Sequence, residues 1–292
     1  MKTTLTFFPV AVLLLAGAAS FSQAATIFAL GESGGNLFRL DTATPGTVLN
    51  NQSLTGVPSG QSPRAIDFRP SNGLLYMLST GSTASDARLY TLNLTTGAAT
   101  VLGNITLTGA TGFRHSIDWN PVTDHLHIIS ASSDTQYLVN PVTLAVTALP
   151  NLPVVSFVSD FAYDNNFSGS PSTNTYLYDY NNDELVKATA PGAGTYTSVG
   201  FPFAPNISLS ASQGLDISAG TAYFNTDFSD GALAAGGADY LFTLNLSTGA
   251  STNLGAIGLP TLDISVQPIP EAGVVTLLGA WLGAVTLRRR RA

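Results

Sequence analysis

A short apolar run with an aspartate at or near its centre occurs five times along this chain. Successive aspartates are separated by 51, 42, 56 and 47 residues. Carboxylate oxygens are the ligands that Ca²⁺ and Mg²⁺ prefer, so aspartates at equivalent positions of a repeat predict a candidate cation site. The same recurrence is typical of an architectural role, in which each carboxylate caps a turn or accepts backbone hydrogen bonds between repeats. The five aspartates are Asp67, Asp118, Asp160, Asp216 and Asp263.

Histidine is confined to one of these repeats, at His115, His125 and His127. His125 and His127 are two residues apart, so on a β-strand their side chains lie on one face. With a carboxylate from Asp118 or Asp124 they form a second candidate metal site. A solvated strand face shows the same pattern, and both interpretations stay open.

Paired carboxylates also perform the acid and nucleophile steps in glycosidases. Between residues 25 and 266 the only glutamates are Glu32 and Glu184, so an acid would have to come from an aspartate. No nucleophile-elbow pattern accompanies the serines. The glycine-rich stretch 31–35 lacks the Gly-Lys-Ser/Thr ending of a phosphate-binding loop. No catalytic residue is therefore assigned.

The elements that would position these side chains repeat together with the aspartates. The unit is clearest at 65–103, where four short runs (65–68, 74–78, 88–94 and 98–102) are separated by turn residues. Asn and Gly favour tight hairpin turns, and Pro interrupts a strand. Because the central runs are apolar on both faces, the unit predicts a four-stranded antiparallel meander that neighbouring sheets cover on both sides.

The unit recurs along the chain. Residues 89–103 and 241–255 share 11 of 15 residues at an offset of 152, which equals three repeats of about fifty, a period typical of propellers. The first unit lacks its inner strand, and an unmatched strand, 261–266, follows the last unit, so we expect the two ends to close a ring. The predicted fold is an all-β propeller of five four-stranded blades over residues 25–266. A sixth blade would need strands within 202–212.

Residues 1–24 have the features of an export signal. Lys2 precedes an apolar core at 7–19, and Ser22 and Ala24 supply the small residues of a cleavage site. This pattern predicts a signal helix that is removed after Ala24. The alternative, a transmembrane anchor, is disfavoured because the apolar run is short.

Residues 267–292 have the composition of a membrane-sorting tail. A Pro-rich linker precedes 16 uncharged residues, 272–287, slightly fewer than the roughly twenty that span a bilayer. Arginine side chains can extend to the interface and favour the cytoplasmic side, so a C-terminal transmembrane helix is predicted; a disordered basic tail is the alternative. The cluster consists of Arg288, Arg289, Arg290 and Arg291.

This tail resembles the PEP-CTERM sorting signal of Gram-negative bacteria. Pro270 and Glu271 provide the Pro-Glu motif, and Ala272 stands where the family has a second proline. The resemblance implies processing by an exosortase and an association with exopolysaccharide export. The expected location is the inner membrane transiently, and then the cell surface or extracellular matrix.

The repeat region resembles the bacterial family called domain of unknown function 4394. The residues that carry the resemblance are Ile66-Asp67-Phe68-Arg69-Pro70 with Gly73, Leu75-Tyr76, Leu89-Tyr90, Thr96-Gly97, Ile117-Asp118-Trp119-Asn120-Pro121 with Asp124, and Asn140-Pro141. The match covers most of residues 26–258 and implies a fold and a secreted context, without an established activity.

Charge narrows the classes of partner. Residues 25–266 contain six Lys or Arg and 17 Asp or Glu, a net charge of −11. Such a surface repels phosphate backbones, so a nucleic-acid partner is not expected. The absence of cysteine excludes disulfides, cysteine zinc sites and cysteine nucleophiles.

These features favour an exported, surface-sorted binding or structural module associated with extracellular polysaccharide. A propeller hydrolase or lyase acting on extracellular carbohydrate is the competing class. A calcium-stabilised scaffold with protein partners is a third.

Overall fold

The chain is described here from a computed structural model, which covers residues 24–152, 157–188, 195–203, 213–227 and 239–268. In these residues twenty β-strands form five antiparallel four-stranded sheets. The prediction of a five-bladed, all-β propeller is therefore confirmed.

The blades follow one another along the chain, except that the last strand joins the first blade. Blade 1 contains β1 (Thr26–Gly31), β2 (Asn36–Asp41), β3 (Asn50–Ser53) and the last strand, β20 (Thr261–Val266). Blade 2 contains β4 (Ser62–Phe68), β5 (Leu75–Thr80), β6 (Asp86–Leu92) and β7 (Ala99–Thr106). Blade 3 contains β8 (His115–Trp119), β9 (Leu126–Ser130), β10 (Thr135–Val139) and β11 (Val146–Leu149). Blade 4 contains β12 (Val158–Tyr163), β13 (Thr175–Asp179), β14 (Glu184–Ala188) and β15 (Tyr196–Gly200). Blade 5 contains β16 (Gly214–Ser218), β17 (Thr221–Thr226), β18 (Tyr240–Leu244) and β19 (Ser251–Ala256).

The ring is closed by pairing between the two ends of the described chain. β20 lies antiparallel to β1, with Ile27 opposite Val266 and Ala29 opposite Ile264. The inner strands β4, β8, β12, β16 and β20 contact one another in that order around the axis, and β20 contacts β4. Because every inner strand has a neighbour on both sides, the central ring has no open edge.

The hydrophobic core lies between the blades as five clusters, each shared by two neighbours. Trp119 of blade 3, for example, packs edge-on against Tyr76 of blade 2, with ring centroids 4.7 Å apart. Strands β5, β9, β12 and β13 are buried on both faces, whereas the outermost strands are partly exposed. This explains why the inner runs of the repeat are apolar throughout.

The outer hairpins repeat one turn. The Asn93 side chain accepts hydrogen bonds from the backbone N–H groups of Thr95 and Thr96, and Asn245 does the same with Ser247 and Thr248. The fifth residue of the turn has a positive φ, and Gly97 and Gly249 supply it at low steric cost. This shared turn explains the identity between 89–103 and 241–255.

The predicted export signal, residues 1–24, and sorting tail, residues 267–292, lie outside the described residues except for 24 and 267–268, so both stay predictions. Within the described ranges, no helix is long and apolar enough to cross a membrane.

Candidate functional site

The five repeated aspartates all lie on inner strands and are buried in the central channel. They occupy two levels rather than one ring. Asp67, Asp118 and Asp216 form a triad in which one carboxylate oxygen of each lies within 4.8 Å of one from each of the others. Asp160 and Asp263 form a separate pair joined by a side-chain hydrogen bond.

The two levels are two residues apart along the inner strands. On β20, the hydroxyl of Ser265 lies 2.9 Å from Asp67 Oδ1 and 3.1 Å from Asp216 Oδ2, so Ser265 is level with the triad and Asp263 precedes that level. Trp119, the residue after Asp118, donates its backbone N–H to Asp67. Tyr163 donates to Asp118 in the same way, so the residue before it, Ala162, occupies the triad level on β12. The shared sequence motif around the five aspartates concealed this shift.

Each aspartate ties its strand to the next inner strand around the ring. One oxygen of every carboxylate accepts a backbone N–H from the following blade, at 2.6–3.0 Å. The acceptor and donor pairs are Asp67 with Trp119, Asp118 with Tyr163, Asp160 with Leu215, Asp216 with Val266, and Asp263 with Ile66. The architectural role considered for the repeat is thus present in the geometry, and cation binding stays a prediction.

Burial dominates the electrostatics of these carboxyl groups. Desolvation raises the pKa of Asp67 and Asp118 well above its ordinary value, and neighbouring carboxylates raise it further. Burial raises the pKa of Asp216 to about 6 and that of Asp263 to about 7. Burial and the charge of Asp263 likewise raise the pKa of Asp160. Without a cation, the channel therefore binds protons more readily than exposed carboxylates do.

The structure gives His125 and His127 different surroundings. His125 precedes β9, is partly exposed, and has Nδ1 2.9 Å from the carbonyl oxygen of Thr123. His127 is buried, with Nδ1 2.8 Å from the Tyr163 hydroxyl and Nε2 3.1 Å from Gln136 Oε1. Because an amide oxygen only accepts, Nε2 carries the proton and Tyr163 donates to Nδ1. Both nitrogens of His127 are thus occupied.

The buried imidazole of His127 predicts a pH-dependent stability. Desolvation lowers its pKa to about 4 in the folded chain, whereas an exposed imidazole has a pKa of about 6.5. A depressed folded-state pKa contributes stability above pH 6.5 that is lost as the pH falls towards 4, by up to about 3 kcal/mol. We expect the wild type to lose this stability, and His127→Gln not to, in urea unfolding measured between pH 7 and 4.5.

His125→Gln controls for the removal of a histidine as such. The quantity to compare is the difference in free energy of unfolding between wild type and variant at each pH, because other groups titrate in both chains. A difference for His127→Gln that stays constant over this range would contradict a neutral buried imidazole.

Asp124, considered as a ligand beside the histidines, is engaged elsewhere. Its carboxylate forms a bidentate ion pair with Arg69, at 2.8 Å from Nε and 2.5 Å from Nη2. The Arg69 guanidinium also lies 4.8 Å from the ring centroid of Trp119. These family-motif residues therefore join blade 2 to blade 3, which gives the motif an architectural explanation.

The starts of the inner strands meet at one mouth of the channel. Two of the six basic residues of the propeller, Arg64 and Arg114, line this mouth together with His115 and Phe113. The cavity there measures only about 10 Å³, which is room for about one water molecule. Sequence reasoning missed this grouping, since each arginine is isolated in the sequence.

The ends of the inner strands surround a much larger groove at the opposite mouth, which we call the basal groove. It has a volume of about 810 Å³, in the range of small-molecule binding sites. Turns of blades 2, 4 and 5 line it, together with Pro268, which is two residues after the end of β20. The lining residues are Pro70, Gly73, Asn165, Asn166, Phe167, Ser168, Ser218, Ala219, Gly220 and Pro268.

One wall of the basal groove is the loop 164–174, between β12 and β13. The corresponding connection in blade 5 has only two residues, 219–220. Asp164 fixes the base of the loop by accepting two hydrogen bonds from Asn174, both at 2.6 Å, and Asn165 donates to the carbonyl oxygen of Ser172 at 3.2 Å. The loop is thus held by its own hydrogen bonds while Phe167 stays 43% exposed.

The basal groove presents an aromatic ring among amide and hydroxyl groups. None of its described lining residues carries a charged side chain. The length of 164–174 between two strands was the sequence signal for this wall, because long ordered loops are often functional.

Comparison with known proteins agrees with this architecture. The chain is similar to a protein of unknown function from Bacteroides caccae, with 12% identity, a TM-score of 0.56, and coverage of 84% of this chain and 99% of that one. It is also similar to a chain of a nidogen/laminin complex, with 12% identity, a TM-score of 0.52, and coverage of 84% and 98%. At this identity the likeness concerns the fold alone.

A search of curated proteins finds no match to the chain. Residues 36–265, in contrast, match the family model described as Domain of unknown function (DUF4394). The matched range includes nineteen strands, from β2 to all but the last residue of β20. The resemblance inferred from the repeat is thereby confirmed, and the chain belongs to the DUF4394 family.

Proposed function

We propose that this propeller is an exported, surface-sorted module that binds neutral segments of extracellular polysaccharide in the basal groove. The observation that carries the proposal is the exposed ring of Phe167, set among uncharged amide and hydroxyl groups in a groove of about 810 Å³. Apolar and aromatic lining with a few polar groups that fix orientation is the usual composition of a binding site.

The chemistry of the groove favours a neutral sugar over an anionic one. Asn165, Asn166 and Ser168 line the groove and supply hydrogen-bond donors and acceptors for hydroxyl groups. The Phe167 ring offers an apolar face for the C–H surface of a sugar. No arginine or lysine is present among the described lining residues to pair with a carboxylate, and the net charge of −11 over residues 25–266 repels polyanions.

The hydrolase or lyase alternative requires carboxyl groups that face the sugar. A glycosidase needs two of them about 5–9.5 Å apart, and the described lining of the basal groove has no carboxyl group. The channel aspartates are buried and bonded to neighbouring strands. A binding module therefore accounts for the groove more directly than a catalyst does.

The surface location completes the proposal. Residues 1–24 would direct export, and the tail 267–292 would be processed by an exosortase after transient anchoring in the inner membrane. Pro268 lines the basal groove, so the segment that leads to the tail leaves the ring beside the proposed site. Sorting and matrix binding would then occur at the same end of the molecule.

The test uses the purified full chain and exopolysaccharide from the producing bacterium, separated by anion exchange into neutral and acidic fractions. We expect the wild type to co-sediment with the neutral fraction and Phe167→Ala to bind at least about tenfold more weakly, because aromatic anchors dominate binding energy. Phe113→Ala is the matched control: Phe113 is 47% exposed, close to the value for Phe167, but lies at the opposite mouth.

Polymer size, measured in the same samples, separates binding from catalysis. Shortened polymer would establish the hydrolase or lyase alternative. Loss of binding in Phe113→Ala with retention in Phe167→Ala would move the site to the arginine-lined mouth. Absence of association with either fraction would overturn polysaccharide binding.

A further inference from the structure

The channel triad has the dimensions of a cation site. One oxygen each from Asp67, Asp118 and Asp216 lie within 4.8 Å of one another. Ca²⁺ binds oxygen at 2.3–2.6 Å, so two oxygens on one ion are at most about 5 Å apart. The three carboxylates come from blades 2, 3 and 5, and no movement of the strands is needed to bring them together.

Two carboxylate oxygens of the triad have no hydrogen-bond partner among the described residues. Asp118 and Asp216 use Oδ2 to accept backbone N–H groups, and in each residue Oδ1 is buried and unpaired within the described part of the chain. The two residues are only 1% and 2% exposed. A buried oxygen without a partner is costly and uncommon in a native protein, which points to a ligand that the protein atoms do not supply.

A neutral side chain on the same strand adds a second, independent observation. Ser116 is 2% exposed, and its hydroxyl also has no hydrogen-bond partner in the ranges that the structure describes. It lies two residues before Asp118 on β8, so both side chains point to the same, channel-facing side of the strand. An unpaired hydroxyl oxygen therefore faces the channel one level before the unpaired carboxylate oxygens, at the level of Asp160 and Asp263.

Within the described ranges, no basic side chain forms an ion pair with the triad. The hydrogen-bond donors to its carboxylates in the described residues are backbone N–H groups and the hydroxyl of Ser265. Three buried carboxylates without a counter-charge are strongly unfavourable. A divalent cation balances two of the charges and occupies the free oxygens at once.

We propose that Asp67, Asp118 and Asp216 bind a single Ca²⁺ ion that holds blades 2, 3 and 5 together at the centre of the ring. Calcium fits better than magnesium, because Ca²⁺ accepts several carboxylates in a flexible geometry, whereas Mg²⁺ demands a near-ideal octahedron and is usually bound by one or two carboxylates. The role is structural and is independent of the basal groove.

The test measures calcium content and calcium-dependent stability of the full chain without polysaccharide. Elemental analysis of protein purified with calcium should give about one ion per chain. After chelation, adding Ca²⁺ to 100 times Kd should raise the unfolding temperature by about 5–10 °C. Asp118→Asn should lose this rise, because its amide oxygen can still accept the Tyr163 N–H but its charge and free carboxylate oxygen are gone.

Asp179→Asn is the control. Asp179 is 2% exposed, as buried as the triad. Its carboxylate, however, accepts hydrogen bonds from the backbone N–H of Asn181 and the side-chain amide of Asn182 in a turn. We expect a lower unfolding temperature with the calcium-dependent rise intact. If Asp118→Asn does not fold, the calcium-dependent rise in Asp216→Asn and the calcium content of the wild type test the same proposal. A wild type that binds no calcium, or an equal rise in Asp118→Asn, would overturn the proposal.

Discussion

A chain that ends at Pro260, and so lacks β20, is expected to lose its cooperative fold. Ile264 and Val266 are buried between blades 1 and 5, and burying two such side chains contributes about 3–6 kcal/mol. The truncation also removes the carboxylate that binds the Ile66 N–H and leaves the edge of β1 unpaired. Because a domain is stable by only about 5–15 kcal/mol, this loss is enough to unfold the ring.

The matched control ends at Pro268 and retains β20 together with the hydrogen bond from Gln267 N–H to Thr26. Circular dichroism melting should show a cooperative transition for the control and none for the shorter chain. A synthetic peptide of residues 261–268 should restore part of the transition by adding a strand to β1. A cooperative melt of the shorter chain at the control's temperature would show that the ring does not need its closing strand.

Replacing Gly214 by alanine is expected to destabilise the propeller by about 1–3 kcal/mol or more, the usual effect of overpacking a dense core. A Cβ atom at this position would lie 2.5 Å from the backbone nitrogen of Ile264, 2.6 Å from Asn225 Oδ1 and 2.8 Å from Asp263 Oδ1. Two of these atoms belong to the closing strand, so the clash falls where blade 5 meets blade 1.

Gly35→Ala is the control for the loss of a glycine. Its Cβ would meet only Ser33 Oγ, at 3.7 Å, which is an ordinary contact. Urea unfolding of both variants should show a clear loss for Gly214→Ala and a change within about 1 kcal/mol for Gly35→Ala. Equal effects would mean that the seam between β16 and β20 can relax around an added methyl group.

The architecture could be predicted from the sequence because each blade repeats its own local chemistry. Turn residues such as Asn93 and Gly97 set the hairpins, and their copies at 245 and 249 reveal the period. The first unit lacks an inner strand and the last unit is followed by an extra one. Pairing these two ends closes the ring and leaves no open inner edge. Local signals sufficed since the contacts within a blade join neighbouring strands.

The levels of the aspartates could not be predicted in the same way. The repeated motif aligns Asp160 and Asp263 with the other three aspartates, but on β12 and β20 the triad level is occupied by Ala162 and Ser265. Only the contacts between strands of different blades reveal this two-residue shift. The basal groove was missed for a related reason, since its walls come from turns far apart in sequence.

Pairing of the terminal strands also sets the order in which this protein can be completed. Ile27 and Val266 are partners across 239 residues of chain, and closing a loop of that length costs about 5 kcal/mol in chain entropy. Blades 2 to 5 need only local pairings, which form faster than long-range ones. A ribosome makes β1 first and its inner partner last, so the earliest strand keeps an unpaired edge during the synthesis of all the others. Protection of that edge from other chains would matter most in this interval.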